Sequence, residues 1–320
     1  MNAFARLLRS SAIPKSAASS AAAFLLCLFA ASSVAGAAPI RRGAEAPQRD
    51  PASDPRPWDH LRAARAEHAS APGRSRLAVA LGLAPGVQTG DAGDDVSALR
   101  ISLLGARHHN VSGLDLSLFC NITEGDQSGA QFGAVNVVDG DFRAVQLAWL
   151  ANASGMRKGA SGGGLQLAAL GNFARSFSGP QVSLLWNRNT SGGPLQLALV
   201  ANLADEFSGV QLAALNLDGK RIHGAQIGLA NAGAESFSGT QFGLFNGVAG
   251  SLDGTQIGIF NSATSFAGLQ VGAINVAKKA TGWQVGLYNG ARTLDGVQIG
   301  LLNHVSDASA PWLPLFRMTF

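Results

Sequence analysis

The chain of 320 residues contains 40 Gly and only 14% charged side chains, with 24 Lys and Arg against 20 Asp and Glu. A formal charge of +4, part of it in an N-terminal segment read below as removed, excludes nucleic-acid binding through a basic patch. Glycine well above the usual ~7%, with so little charge, is also foreign to an ordinary cytosolic enzyme.

Residues 1–37 read as a signal peptide. Arg6, Arg9 and Lys15 precede an apolar run from Ala21 to Ala30, and Ala35-Gly36-Ala37 supplies the small residues of a cleavage site. The run is too short to cross a bilayer as a helix, which needs about 20 residues. Cys27 lies within it after Leu26, against a lipoprotein reading. Residues 38–74, rich in Arg, Asp, Pro and Ala, read as a disordered or partly helical N-terminal segment, with Trp58 to His68 as its one helical stretch. Cleavage leaves Cys120 as the only cysteine, so an intramolecular disulfide and a multi-cysteine metal site are excluded.

Residues 75–320 read as a single β-repeat domain. Two apolar stretches, 76–83 and 96–104, come first. From residue 113 one phrase recurs: Gly, any residue, Gln, an apolar residue, a small residue, one to three apolar residues, Asn. It is clearest in Gly239-Thr240-Gln241-Phe242-Gly243-Leu244-Phe245-Asn246 and in Gly296-Val297-Gln298-Ile299-Gly300-Leu301-Leu302-Asn303. Its glutamines are Gln131, Gln146, Gln166, Gln181, Gln196, Gln211, Gln226, Gln241, Gln256, Gln270, Gln284 and Gln298, after a degenerate copy with Asp115 in the Gln place. Most spacings are 14 or 15 residues, which sets the fold before any single residue is considered.

Within a phrase Phe242 and Leu244 alternate with Gln241 and Gly243, the period of a strand. The first Gly suits a positive φ, and Asn opens a turn. Copies with an extra residue before Asn, such as Gln166 to Asn172 and Gln196 to Asn202, predict bulges. No Asp, Glu, Lys or Arg falls in any of the twelve windows from that first position to Asn. Both strand faces therefore avoid charge, which calls for both to be covered or for one to meet lipid.

Two architectures satisfy this pattern. The first is an all-β closed barrel of about 16 antiparallel strands, counting thirteen repeat strands, the two leading stretches and a terminal one. Its terminal segment, 313–320, carries Phe316, Met318 and Phe320 at alternate positions, similar to the assembly signal of outer-membrane proteins. Phe177, Phe207, Phe237 and Phe266 before every second Gln suit strands running up and down. The alternative is a β-solenoid, one coil per repeat, with Gln and Asn stacked into ladders. Constant spacing favours the solenoid; the uncharged strands and the terminal Phe favour the barrel, which is the expected fold.

The Gly-x-Gln-Ile-Gly-Leu-x-Asn units and the final Pro-containing segment ending in Phe resemble the "surface repeat-containing" proteins of diderm bacteria, over residues 96–320. The resemblance implies a cell-envelope or surface location and carries over no catalytic residue. Asp115 and Ser117, and Ala144 and Pro194 at Gly positions, depart from the pattern.

Chemistry-bearing residues are few. His108-His109 precede a turn at Asn110 without acidic or Cys partners at ligand spacing, so a solvated loop is expected there. Ser161-Gly162-Gly163-Gly164 lacks the Lys and helix of a phosphate cradle and reads as the longer loop behind the 20-residue spacing. Cys120 reads as a buried thiol without an activating base. The Gln series either lines a lumen or forms a ladder, the ladder being favoured because Phe237 and Phe245 are read onto the same face. The expectation is an exported, non-enzymatic outer-membrane or surface β-repeat protein without cofactor, metal or nucleic-acid partner. Its expected partners are the outer membrane and its assembly machinery. Passive passage of small polar solutes is the main reading, and a non-conducting structural or adhesive solenoid is the alternative.

Overall fold

A computed structural model describes residues 74–320; the signal peptide expected over 1–37, and all of the 38–74 segment but Arg74, lie outside the described residues. The described chain is one sheet of twenty strands from Arg76 to Thr319. The repeats wind as a parallel β-solenoid of about 13 turns, so the expected closed barrel of about 16 antiparallel strands is overturned. Register gives the reason. Gln211 pairs with Gln226, Gln226 with Gln241, Gln241 with Gln256 and Gln256 with Gln270, all in the same direction. A hairpin reverses every second repeat and could not keep Gln on Gln along the whole chain. The stretches expected as barrel strands at 76–83 and 96–104 become the first coils, Arg76–Ala84 beside Asp95–Ser102 in parallel. Antiparallel pairing is confined to the ends: Val87–Gln88 folds back on the first strand, and Trp312–Thr319 lies against the last coil.

Each coil has four inward positions. In the coil from Gly239 these are Gln241, Asn246, Val248 and Leu252, all buried. The column ending in Leu252 explains the rhythm of phenylalanines. It runs Phe142, Gly162, Phe177, Gly192, Phe207, Ile222, Phe237, Leu252, Phe266. Coils lie only ~4.8 Å apart, so a large ring needs a smaller neighbour above and below. The rings of Phe142 and Phe177 stack at 6.3 Å across Gly162, where a Cβ would come within 2.6 Å of the Phe177 ring. The two-repeat period is therefore an interior packing pattern and not an alternation of compartments.

The first glycine of each phrase, Gly179 excepted, has the positive φ expected of it. Gly254 has φ 141°, and a Cβ there would stand 2.0 Å from the Gly239 carbonyl oxygen of the preceding coil. The extra residues are accommodated as bulges: Gly133 pairs with Ala148 and Val135 with Ala151, leaving Trp149 and Leu150 opposite Ala134. The insertion behind the 20-residue spacing lies at 155–161; Gly162-Gly163-Gly164, expected as loop, opens the strand Gly162–Ala168 because its backbone pairs with Phe142 to Ala144.

Candidate functional site

Burying an amide costs free energy unless its hydrogen bonds are made, and this interior makes them side chain to side chain. From Gln146 to Gln298 each Gln Nε2 donates to the Oε1 of the Gln one coil earlier, at 2.6–3.1 Å. All twelve glutamines are buried in this ladder. No barrel encloses them, so the lumen-lining reading goes with the barrel. The phrase-ending asparagines form a second ladder of opposite polarity, in which Asn121 Nδ2 donates to Asn136 Oδ1 and so on, without a break, to Asn303. A second donation orients these amides, as when Asn261 Nδ2 reaches the Val271 carbonyl at 2.8 Å.

The Gln ladder ends on charges of matching sign. At its donor end Gln131 Nε2 reaches Asp115 Oδ2 at 3.0 Å, and the Asp115 carboxylate accepts Arg100 Nε at 2.7 Å and Nη2 at 2.5 Å. Arg100 and Asp115 are wholly buried. Arg100 was not legible as a ladder residue because nothing in its own stretch repeats the Gln phrase. At the acceptor end Gln298 pairs in register with Arg317, which is buried in the same column and donates from Nη2 to the Ala310 carbonyl. Gln298 Oε1 and Arg317 Nε and Nη1 have no hydrogen-bond partner.

Two further titratable groups lie inside. His108, expected on a solvated loop, is fully buried because its strand, Gly105–His108, pairs with Cys120–Thr123 and turns it inward. Burial, with the Arg100 guanidinium beside it, holds its pKa below the ordinary value. Arg100 Nη1 lies 3.4 Å from His108 Nδ1, and His108 Nε2 lies 3.2 Å from the Thr89 carbonyl. A neutral ring with its proton on Nε2 meets both contacts. Asp218 occupies the column of small residues and accepts from Gln211 Nε2 at 3.1 Å and from Gln226 Nε2. Burial pushes its carboxyl up to about 7 against the hydrogen bonds that lower it. Cys120, expected buried, is half-buried.

With amides inside, the aliphatic positions of the phrase point outward. Leu199, Leu229, Phe242, Leu244, Ile259 and Leu301 are exposed, Leu199 at 69% and Leu301 at 64%. Phe245, expected on the Gln face, is 56% exposed, because two consecutive outward residues turn the corner before Asn246. The residues beside Gln on this outer face form apolar columns from Leu81 to Ile299, and Phe316 in the terminal strand, paired with Ile299, extends them. Met318 is also exposed and Phe320 lies beyond the strand at 86% exposure; with a solenoid in place of the barrel, the assembly signal expected of Phe316, Met318 and Phe320 has no barrel to close.

Charges gather on another edge, between Asn and the next phrase. Some pair across one coil there, as Glu206 with Arg221 at 2.7 Å and Arg292 with Asp307 at 3.2 Å. The charge-free windows thus have a physical reading: the inner face is covered by the solenoid itself, and the outer face is apolar and uncovered by the described chain. A monomer's largest apolar patch is ordinarily ~300–600 Å². Here the columns run the length of a rod of about 13 turns, roughly 60 Å at ~4.8 Å per coil.

Comparison with family profiles, with curated proteins and with solved structures finds no match.

Proposed function

We propose that this chain is an exported, non-enzymatic surface protein with a structural or adhesive role, a rigid rod that works through its apolar face. The carrying observation is that face: a charge-free band of Leu, Ile, Val and Phe along the outside of a solenoid whose interior carries two amide ladders beside its apolar columns. Function placed on a surface, not in a cleft, suits a repeat architecture, where each coil repeats the same contact. Export rests on Arg6, Arg9 and Lys15, the apolar run and Ala35-Gly36-Ala37. The resemblance of the Gly-x-Gln-Ile-Gly-Leu-x-Asn units to surface repeat proteins of diderm bacteria supports the same placement.

The test is protease treatment of intact cells expressing the chain with an epitope tag. Removal of the tag from unbroken cells is the expected result. Protection of the tag until the cells are lysed would refute surface placement. A parallel expectation is that charged substitutions on the face, such as Leu229→Lys, abolish whatever attachment the cells gain from the protein.

A further inference from the structure

We infer that the occupant of the apolar face is a second copy of this chain, packed face to face about a two-fold axis. This rests on the reading of that face as the working surface and names its partner.

Three observations carry it. The first is size. Columns at the positions of Thr240, Phe242, Leu244 and Phe245 span roughly 15 Å at ~3.3 Å per residue, with allowance for side chains, along a rod of roughly 60 Å. The flat projection is on the order of 900 Å² per copy, and a pair would bury about 1,800 Å² or more, within the range of stable interfaces. The second is shape. The face is an untopped β-sheet surface with relief, since Leu229, Leu244 and Ile259 stand in one column with Ala214 and Ala273 at its hollows. Two such faces pack at about 10 Å with side chains interleaved, as sheets do in a sandwich. The third is charge. The described residues carry as many basic as acidic side chains, and the charges lie outside the twelve repeat windows, some of them in inter-coil pairs such as Glu206 with Arg221. Two neutral faces do not repel, and a two-fold axis places each copy's charges outside the contact. The same balance argues against a lipid surface, because interfacial binding to anionic membranes draws on an excess of cationic side chains, and here the two signs are equal in number.

The experiment is sedimentation velocity of the full chain in detergent-free buffer from about 1 to 50 µM, repeated with neutral and with anionic phospholipid vesicles. The expected result is a dimer that ignores both vesicles. Leu229→Lys is expected to raise the dissociation constant at least about 100-fold by placing an unpaired charge in the contact. Its far-ultraviolet circular dichroism should match that of the wild type, because the side chain is outward and the solenoid does not depend on it. Lys220→Gln on the charged edge should leave the dimer unchanged. A wild-type monomer at 50 µM overturns the inference whatever the variants do, as does a monomer that floats with vesicles of either composition. Protease access on intact cells does not depend on dimerisation, so surface placement and self-association can fail separately.

Discussion

Gln131 donates from Nε2 to Oδ2 of Asp115 at 3.0 Å, and this contact converts a neutral amide ladder into one ended by a buried ion pair. Each Gln passes its donor toward the N-terminus, so the last amide proton needs an acceptor with no donor of its own. A carboxylate supplies that, and Arg100 neutralises it. The degenerate copy of the repeat is thus a ladder end.

Removing one charge of this pair should be far worse than removing both. Asp115→Gln alone leaves Arg100 buried and unpaired, at an expected cost of about 3–5 kcal/mol. Adding Arg100→Gln extends the ladder by two amides and should recover most of that loss. Urea unfolding of the two single variants and the double variant measures the coupling; additive losses would contradict a shared site.

In mid-ladder, Gln256→Ala removes the acceptor of Gln270 and the donor to Gln241. Two orphaned amide groups and a cavity predict a loss of about 3–5 kcal/mol. Asn261→Asp should cost at least as much at pH 7, since a carboxylate would face the Val271 carbonyl and Asn275 Oδ1, both acceptors. Chemical denaturation checks both, and a loss below about 1 kcal/mol in either would mean the ladder is not a stabilising element.

Two glycines separate conformational need from mere repetition. Gly254→Ala combines φ 141° with a Cβ 2.0 Å from a carbonyl oxygen, whereas a Cβ on Gly247 meets its nearest atom, Ser262 Oγ, at 3.5 Å. The first should destabilise by about 3 kcal/mol or more and the second by less than about 1 kcal/mol. Thermal unfolding of the two variants side by side tests the contrast.

Asp218 gives the fold a pH dependence of defined sign. Its folded pKa, about 7, lies above the ordinary 3.8 of an aspartate, so the native state holds the proton more tightly. Its stabilising contribution is complete below pH ~4 and declines as pH rises to ~7, by up to about 4 kcal/mol. His108 acts the other way, its depressed pKa costing stability as pH falls below 6.5. The stability difference between D218N and the wild type isolates the Asp218 part and should move in favour of the variant from pH 4 to pH 7. A difference independent of pH would show that Asp218 ionises as an exposed carboxylate does.

Strand period, unit length, most of the positive-φ glycines, the bulged copies and the ladder-forming Gln series are legible in the sequence, because each depends on contacts between residues of the same phrase or of successive identical phrases; the turns expected at these glycines are continuous strand. The roles of Arg100, His108, Asp218 and Arg317 are not, since each occupies an interior column without matching its neighbours in type. Alternation shows that Gln241 and Phe242 face opposite ways, but not which way is in. Ordinary hydrophobic reasoning puts the phenylalanine inside, and the barrel expectation follows from placing apolar side chains against lipid. The tertiary structure decides the matter by register. Once successive repeats stack in parallel, every Gln lies one coil from another Gln and can satisfy its amide there, so the polar column can be buried. The aliphatic residues, equally regular, are left to form the outer surface.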